Sequence, residues 1–115
     1  MTVTEAMAKA DELRPNTLTE EQKARFLYEL DCDIADLQGV DQPAFIWPKE
    51  DATLLMEAPH DNIYPLYLAA QIDYYNQESA MYANDMAIFN NAYNDARSWW
   101  RRNNVPQNKG NWKVM

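Results

Sequence analysis

The sequence predicts an all-α protein, a compact bundle of about four helices, and three observations indicate this class. Apolar residues recur at steps of three and four along most of the chain, which is the spacing of one helix face. The two glycines, Gly39 and Gly110, both fall where other signals end a regular element. Hydrophobic residues make up 47% of the 115 residues, which is enough for the single core of one ordinary domain.

The first two helices have clear start and stop signals. Thr2 or Thr4 can cap a first helix that ends before Pro15. A capping box, Thr19-Glu20-Glu21-Gln22, begins the second helix, which ends at Gly39. The apolar faces of these two helices are Val3, Met7, Ala10 and Leu13, and Leu27, Leu30, Ile34 and Leu37.

Residues 39–60 interrupt the helical pattern and predict a long ordered loop between the second and third helices. Pro43, Pro48 and Pro59 prevent a continuous helix here. The apolar run within the loop can pair as an edge strand with a neighbour or pack into the protein's own core. Because long ordered loops commonly carry function, we predict that this one projects and contacts an adjacent subunit or partner. The contact residues are Phe45, Ile46 and Trp47.

The third and fourth helices follow the loop. Asp61 can cap the third helix, whose apolar residues are Ile63, Tyr67, Ala70 and Tyr74, with Pro65 tolerated in the first turn. The fourth helix has the strongest pattern: Tyr82, Met86, Phe89, Tyr93, Ala96 and Trp100 form one continuous stripe. We expect this stripe to pack in the subunit core, and a seam between subunits is the alternative. The predicted shared core is Leu27, Leu30, Ile34, Ile63, Tyr67, Ala70, Met86, Phe89 and Tyr93.

Charge divides the chain into an acidic body and a basic end. Residues 1–96 carry 5 basic and all 18 acidic side chains, whereas residues 97–115 carry 5 basic side chains and no acid. We therefore predict a helical domain over residues 1–104 and an extended basic, aromatic tail over residues 105–115. The net charge of −8 argues against a general affinity for nucleic acid or anionic membranes. The predicted docking residues are Trp99, Arg101, Arg102, Lys109, Trp112 and Lys113.

The sequence offers little catalytic or metal-binding chemistry. It has one histidine, His60, and one cysteine, Cys32, and it lacks glycine-rich phosphate loops and paired-cysteine spacing. The acids around Asp31 are interpreted as a solvated helix face, because their oxygens point around the helix. Asp73 and Glu78 do not share a helix face as a carboxylate pair. We expect no enzyme activity, no cofactor and no metal.

Several segments together resemble a family of small tailed-phage and prophage proteins, the head–tail connector or head-completion adaptor proteins of the neck. The segments are Ala58–Tyr64, Tyr67–Glu78, Phe89–Tyr93, Ala10–Asn16 and Lys23–Asp31, so the likeness covers most of the chain. Two positions depart from the family pattern. His60 stands where a tyrosine is usual, and Gln77 stands near the end of the third helix, where a glycine is often found.

This resemblance implies a helical subunit that assembles as a ring, commonly of about twelve copies, beneath the portal in the virion neck. Its implied partners are the portal protein, the next neck or tail-completion protein, and further copies of itself. The resemblance also implies assembly in the bacterial host cytoplasm, no membrane partner, and DNA that passes through the lumen without specific binding. Adaptors of this kind commonly engage the portal through a C-terminal segment.

Two other classes of function stay open from the sequence. A small acidic inhibitor or DNA mimic, or another protein-interaction module, would share the negative charge but would not need the basic end. A nucleic-acid-binding module would use Trp99, Trp100, Arg101 and Arg102 for stacking and phosphate contacts. The charge of the body, −13, disfavours this second class.

Overall fold

A computed structural model describes residues 1–104, and this part of the chain is an all-α bundle with no β-strand. The helices are α1 (Val3–Leu13), α2 (Glu20–Gln38), α3 (Ile63–Tyr75) and α4 (Ser79–Asn103), with a 3₁₀ turn over His60–Asn62. The predicted class and number of helices are confirmed. The predicted tail, residues 105–115, lies outside the described residues.

Local signals begin and end α1 and α2 as predicted. Thr2 caps α1 by accepting a 3.2 Å hydrogen bond from the backbone N–H of Glu5. Thr19 caps α2 in the same way, with a bond of 3.1 Å from the N–H of Gln22. Gly39 ends α2 in the left-handed region, with φ of 70°. The hydrogen bonds that close this turn are those of a Schellman motif, with the N–H of Val40 donating to the carbonyl of Ala35.

The predicted cap of α3 is wrong. The helix follows directly from the 3₁₀ turn, and its N-cap residue, Asn62, makes no side-chain capping bond. Asp61 lies inside the turn, and its Oδ2 is instead 3.6 Å from the amino group of Met1. Pro65 lies in the first turn of α3 as expected, where its missing N–H leaves no bond unmade.

α3 is the central element of the bundle and packs against α1, α2 and α4. The predicted core is confirmed, since all nine of its residues are buried or packed against the buried cluster. Two predicted apolar-face residues are exposed instead: Leu13 is 47% and Tyr74 is 63% accessible. Both lie in the last turn of their helix, and in that turn of α3 the buried side is formed by Ile72 and Asp73 instead.

The long loop folds back onto the bundle and does not project, so that part of its prediction is wrong. Thr2 and Thr53 form an isolated antiparallel bridge, in which the N–H of Val3 donates to Ala52 and that of Leu54 donates to Met1. The loop also contributes Leu54 and Met56 to the buried core. Apolar burial and these backbone bonds both favour the folded-back position.

Among the helices of residues 1–104, none combines the length and apolarity needed to cross a membrane.

Candidate partner-docking site

The three apolar loop residues predicted to contact a partner are half-buried in their own subunit. The Phe45 ring packs edge-on against Tyr28, with centroids 5.7 Å apart, and the Arg25 guanidinium lies 4.4 Å from the Phe45 centroid. Trp47 packs against the core cluster as well. These contacts agree with the second of the two alternatives for the apolar run of the loop, in which it packs into the protein's own core. A role for Phe45, Ile46 and Trp47 in contacting a partner stays a prediction.

The end of α4 separates the predicted docking residues into packed and exposed groups. Trp99 packs against the core, and its ring centroid is 4.9 Å from that of His60. Arg101 and Arg102, which follow Trp99 within one turn, are exposed. The remaining predicted residues of this group, Lys109, Trp112 and Lys113, lie outside the described residues. Within residues 1–104, therefore, the two arginines are the part of the group that is open to a partner.

The arginines of α4 lie near acids of α2. Asp33, Asp36, Tyr93, Arg97 and Arg101 line an open hollow of about 350 Å³ between the two helices, together with Leu37. Burial raises the pKa of the Tyr93 hydroxyl, the Asp33 carboxylate adds to this, and the Arg97 guanidinium opposes it. The negative charge of the two aspartates therefore offsets part of the positive charge that Arg97 and Arg101 present at this hollow.

A buried ionic cluster joins α1, α3 and α4. The Nε of Arg14, which follows α1, donates to Asp73 Oδ1 at 3.0 Å, and its NH2 group donates to Asp85 Oδ2 at 2.7 Å. The side chain of Asp73 is 1% exposed, and its Oδ2 has no hydrogen-bond partner. One guanidinium therefore serves two carboxylates, and the cluster carries an excess negative charge when both are ionised.

Burial and this excess charge both affect the pKa of Asp73. Burial, followed by the hydrogen bond and charge of the Asp85 carboxyl, raises the pKa of Asp73 from its ordinary 3.8 to about 6. The Arg14 guanidinium opposes this rise by stabilising the ionised form. Asp73 and Asp85 are thus joined by the Arg14 guanidinium, which donates to both carboxylates. Glu78 is not part of this cluster.

A second buried carboxyl joins α2 to α3 and to the loop. Asp31 Oδ1 accepts bonds from the Tyr64 hydroxyl at 2.6 Å and from the N–H of Leu55 at 3.0 Å. The Tyr64 oxygen in turn accepts from the N–H of Met56 at 2.8 Å. Burial raises the pKa of Asp31, and the bonds from Tyr64 and Leu55 partly offset this. The acids around Asp31 were predicted to form a solvated helix face, and this prediction is wrong for Asp31. Its carboxylate is buried and accepts a hydrogen bond from the backbone of the loop.

The third feature is an aromatic hollow at the turn between α3 and α4. It has a volume of about 540 Å³ and is lined by Asp73, Tyr74, Tyr75, Gln77, Glu78, Ser79 and Tyr82. The Tyr74 ring centroid is 5.9 Å from that of Tyr75 and 5.6 Å from that of Tyr82. Helical periodicity assigned Tyr74 and Tyr82 to apolar stripes, and this concealed a surface cluster of tyrosines.

None of these three features, the two buried clusters and the aromatic hollow, was predicted from the sequence. In the two buried clusters the members are far apart in the chain. Arg14 and Asp73 are 59 residues apart, and Asp31 and Tyr64 are 33 apart. Each residue by itself matches an ordinary surface charge or an aromatic core residue. Among residues 1–104, no group of three His, Cys, Asp or Glu side chains is arranged to hold a metal ion.

Comparison with known proteins adds no further assignment. No protein-family model, curated protein or solved structure matches the chain.

Proposed function

We propose that the protein is a head–tail connector subunit of a tailed phage or prophage, which assembles as a ring beneath the portal and joins the DNA-filled head to the tail. The resemblance of its sequence to such adaptors is the observation that carries this proposal. The segments that carry the resemblance also supply three of the contacts between helices. These contacts are Arg14 with Asp73, Asp31 with Tyr64, and Tyr67 with Phe89. The likeness therefore involves the interior of the fold, which supports a shared architecture more strongly than a short surface motif would.

The charge distribution suits a subunit that surrounds DNA without gripping it. The net charge of −8 repels a polyanion, so DNA in a lumen lined by such subunits would meet no specific binding surface. The proposed partners are the portal protein, the next neck protein and further copies of the chain. Because contacts repeat around a ring, a modest interface in each subunit is enough for stable docking.

The exposed arginines at the end of α4 are the proposed portal contact within the described residues. Arg101 and Arg102 lie at the surface, next to a segment that adds Lys109, Lys113 and Trp112. Basic side chains at the end of an acidic body favour a partner surface that bears carboxylates. Trp99 has a different role, because it packs on His60 and the core of its own subunit.

Co-sedimentation with portal rings from the same phage or prophage tests this function. The wild-type chain should sediment with the rings, and the double variant Arg101→Glu with Arg102→Glu should not. The matched control is Lys9→Glu with Lys49→Glu, which makes the same change in charge at two exposed sites elsewhere. Failure of the wild-type chain to bind rings would contradict the proposal. Salt-sensitive binding to DNA instead would favour a nucleic-acid-binding module.

A further inference from the structure

The hollow at the α3–α4 turn combines aromatic walls with unneutralised negative charge. Tyr74 and Tyr75 are 63% and 52% exposed, so they leave large aromatic surfaces open to solvent. The rings of Tyr74 and Tyr82 are inclined at 56°, and those of Tyr74 and Tyr75 at 71°. These inclined rings form the walls of a concave surface and do not stack on each other.

The charge of this hollow comes from carboxylates. Glu78 is exposed on its rim, and its side chain does not cap α4, although Glu78 occupies the N-cap position. Asp73 is among the lining residues, and its buried Oδ2 has no donor. No basic side chain is among the described residues that line the hollow. Behind it, Arg14 is shared between Asp73 and Asp85, so the surroundings keep a net negative charge.

The helix dipoles do not cancel this charge. The hollow lies between the C-terminus of α3, which carries partial negative charge, and the N-terminus of α4, which carries partial positive charge. These two contributions oppose each other, so the side chains determine the sign of the local field. The tyrosine faces strengthen the attraction for a cation, because the face of an aromatic ring carries partial negative charge and attracts a cation above the ring.

We propose that this hollow binds the guanidinium group of an arginine side chain presented by a segment of a partner protein. A guanidinium is planar and weakly hydrated, so it packs on a tyrosine face while its fork of N–H donors pairs with a carboxylate. Tyr74 and Tyr82 supply the faces, and Glu78 supplies the carboxylate. The ammonium of lysine is a compact, strongly hydrated charge and gains less from the aromatic walls. This proposal does not depend on the connector function.

The chain's own arginines at the end of α4 do not reach this hollow within one subunit. Tyr82 and Arg101 are 19 residues apart on one helix, which at the rise of an α-helix separates them by roughly 28 Å. Arg14 is held by Asp73 and Asp85, and Arg25 lies over the Phe45 ring, so the arginine comes from another chain.

NMR titration of the full-length ¹⁵N-labelled protein with a capped Gly-Arg-Gly peptide tests the proposal. The backbone amides of Tyr74, Gln77, Glu78 and Tyr82 should shift saturably, with a Kd on the order of 10 mM or below. The same peptide with citrulline in place of arginine has nearly the same shape and no charge, and it should bind at least about tenfold more weakly.

Two variants connect binding to the named residues. Glu78→Gln and Tyr74→Leu change exposed side chains and should each raise the Kd about threefold or more. The control Glu50→Gln removes an exposed loop carboxylate and should leave the Kd unchanged. Unchanged amide positions elsewhere in the spectrum verify that each variant is folded. An absence of shifts with the arginine peptide, equal binding of the citrulline peptide, or wild-type affinity in either variant would overturn the proposal.

Discussion

The Tyr64 hydroxyl donates a 2.6 Å hydrogen bond to the Asp31 carboxyl, and this buried bond joins α3 to α2. The same tyrosine oxygen accepts from the N–H of Met56, so the end of the long loop depends on it too. A cluster of this kind stabilises only when every member is satisfied, because an unpaired buried polar group keeps its full desolvation penalty.

Replacement of Tyr64 by phenylalanine should therefore destabilise the protein by about 2–3 kcal/mol, although the ring and its packing are kept. The variant leaves the N–H of Met56 without an acceptor and removes one donor from Asp31. Urea unfolding monitored by circular dichroism measures this loss. Tyr74→Phe is the control, because Tyr74 is 63% exposed and its change should stay within about 0.5 kcal/mol. Equal stability of the two variants would contradict a structural role for the bond.

The pKa of Asp73 predicts how stability depends on pH. Folding raises this pKa from 3.8 to about 6, so the folded state binds a proton more tightly than the unfolded state does. The resulting stabilisation is fully present below about pH 4 and is lost as the pH rises through about 6. Asp73→Asn removes the titration, and its amide can still accept from Arg14. Between pH 4 and pH 7, stability should shift in favour of the variant by up to about 3 kcal/mol.

Urea unfolding at pH 4, 5, 6 and 7 measures this difference between the wild-type chain and Asp73→Asn. Asp41→Asn, which changes an exposed loop carboxyl, is the control. Its stability should run parallel to that of the wild-type chain over the whole range. A parallel curve for Asp73→Asn as well would show that the buried cluster does not titrate in this range.

The left-handed residues that end α2 and α3 predict opposite effects of two substitutions. Gly39 and Gln77 both have positive φ, 70° and 60°, and both close a Schellman turn. Gln77 has a side chain at a position where glycine is favoured, so Gln77→Gly should stabilise by about 1 kcal/mol. Gly39→Ala should destabilise by about the same amount through its backbone alone, because an added Cβ would meet no atom within 4 Å. Thermal unfolding measures both, and shifts of the same sign would contradict this explanation.

Signals contained within one short segment allowed most of the fold to be predicted. The capping box at Thr19 and the glycine at position 39 act within a few residues, and the structure places α2 between them. Asp61 has the same capping chemistry but lies inside a 3₁₀ turn, where its carboxylate is near the amino group of Met1. The direction of the loop depends on a distant pairing, Thr2 with Thr53, which no local pattern encodes.

The candidate sites were harder to predict than the helices, because they also depend on contacts between distant parts of the chain. A periodic stripe assigns Tyr74 to the core, but in the last turn of α3 the covered side carries Ile72 and Asp73, and Tyr74 stays exposed. Asp31 matches a solvated acid in the sequence, and only the approach of Tyr64 from another helix reveals that it is buried. Arg101 and Arg102, which the charge division of the chain assigned to a docking segment, are exposed in the structure, and their docking role stays a prediction.

The proposed docking region has two parts, Trp99 near the end of α4 and the residues that follow the helix. Trp99 packs on His60 and the core, whereas Lys109, Trp112 and Lys113 follow the described bundle. The core that the structure describes joins residues of all four helices and the long loop, so we expect a chain truncated after Pro106 to keep the thermal stability of the full chain. The same truncation should fail to bind portal rings, because it lacks the basic and aromatic side chains proposed to meet carboxylates on the portal.

Trp99→Ala should give the converse result. Loss of a half-buried indole should lower stability by about 2–3 kcal/mol, and portal binding should persist at temperatures where the variant is folded. Differential scanning calorimetry measures stability, and co-sedimentation with portal rings measures binding for both chains. Unchanged ring binding by the truncated chain would exclude residues 107–115 as the docking segment and would leave Arg101 and Arg102 as the contact to test. A large loss of stability on truncation would instead assign those residues to the fold.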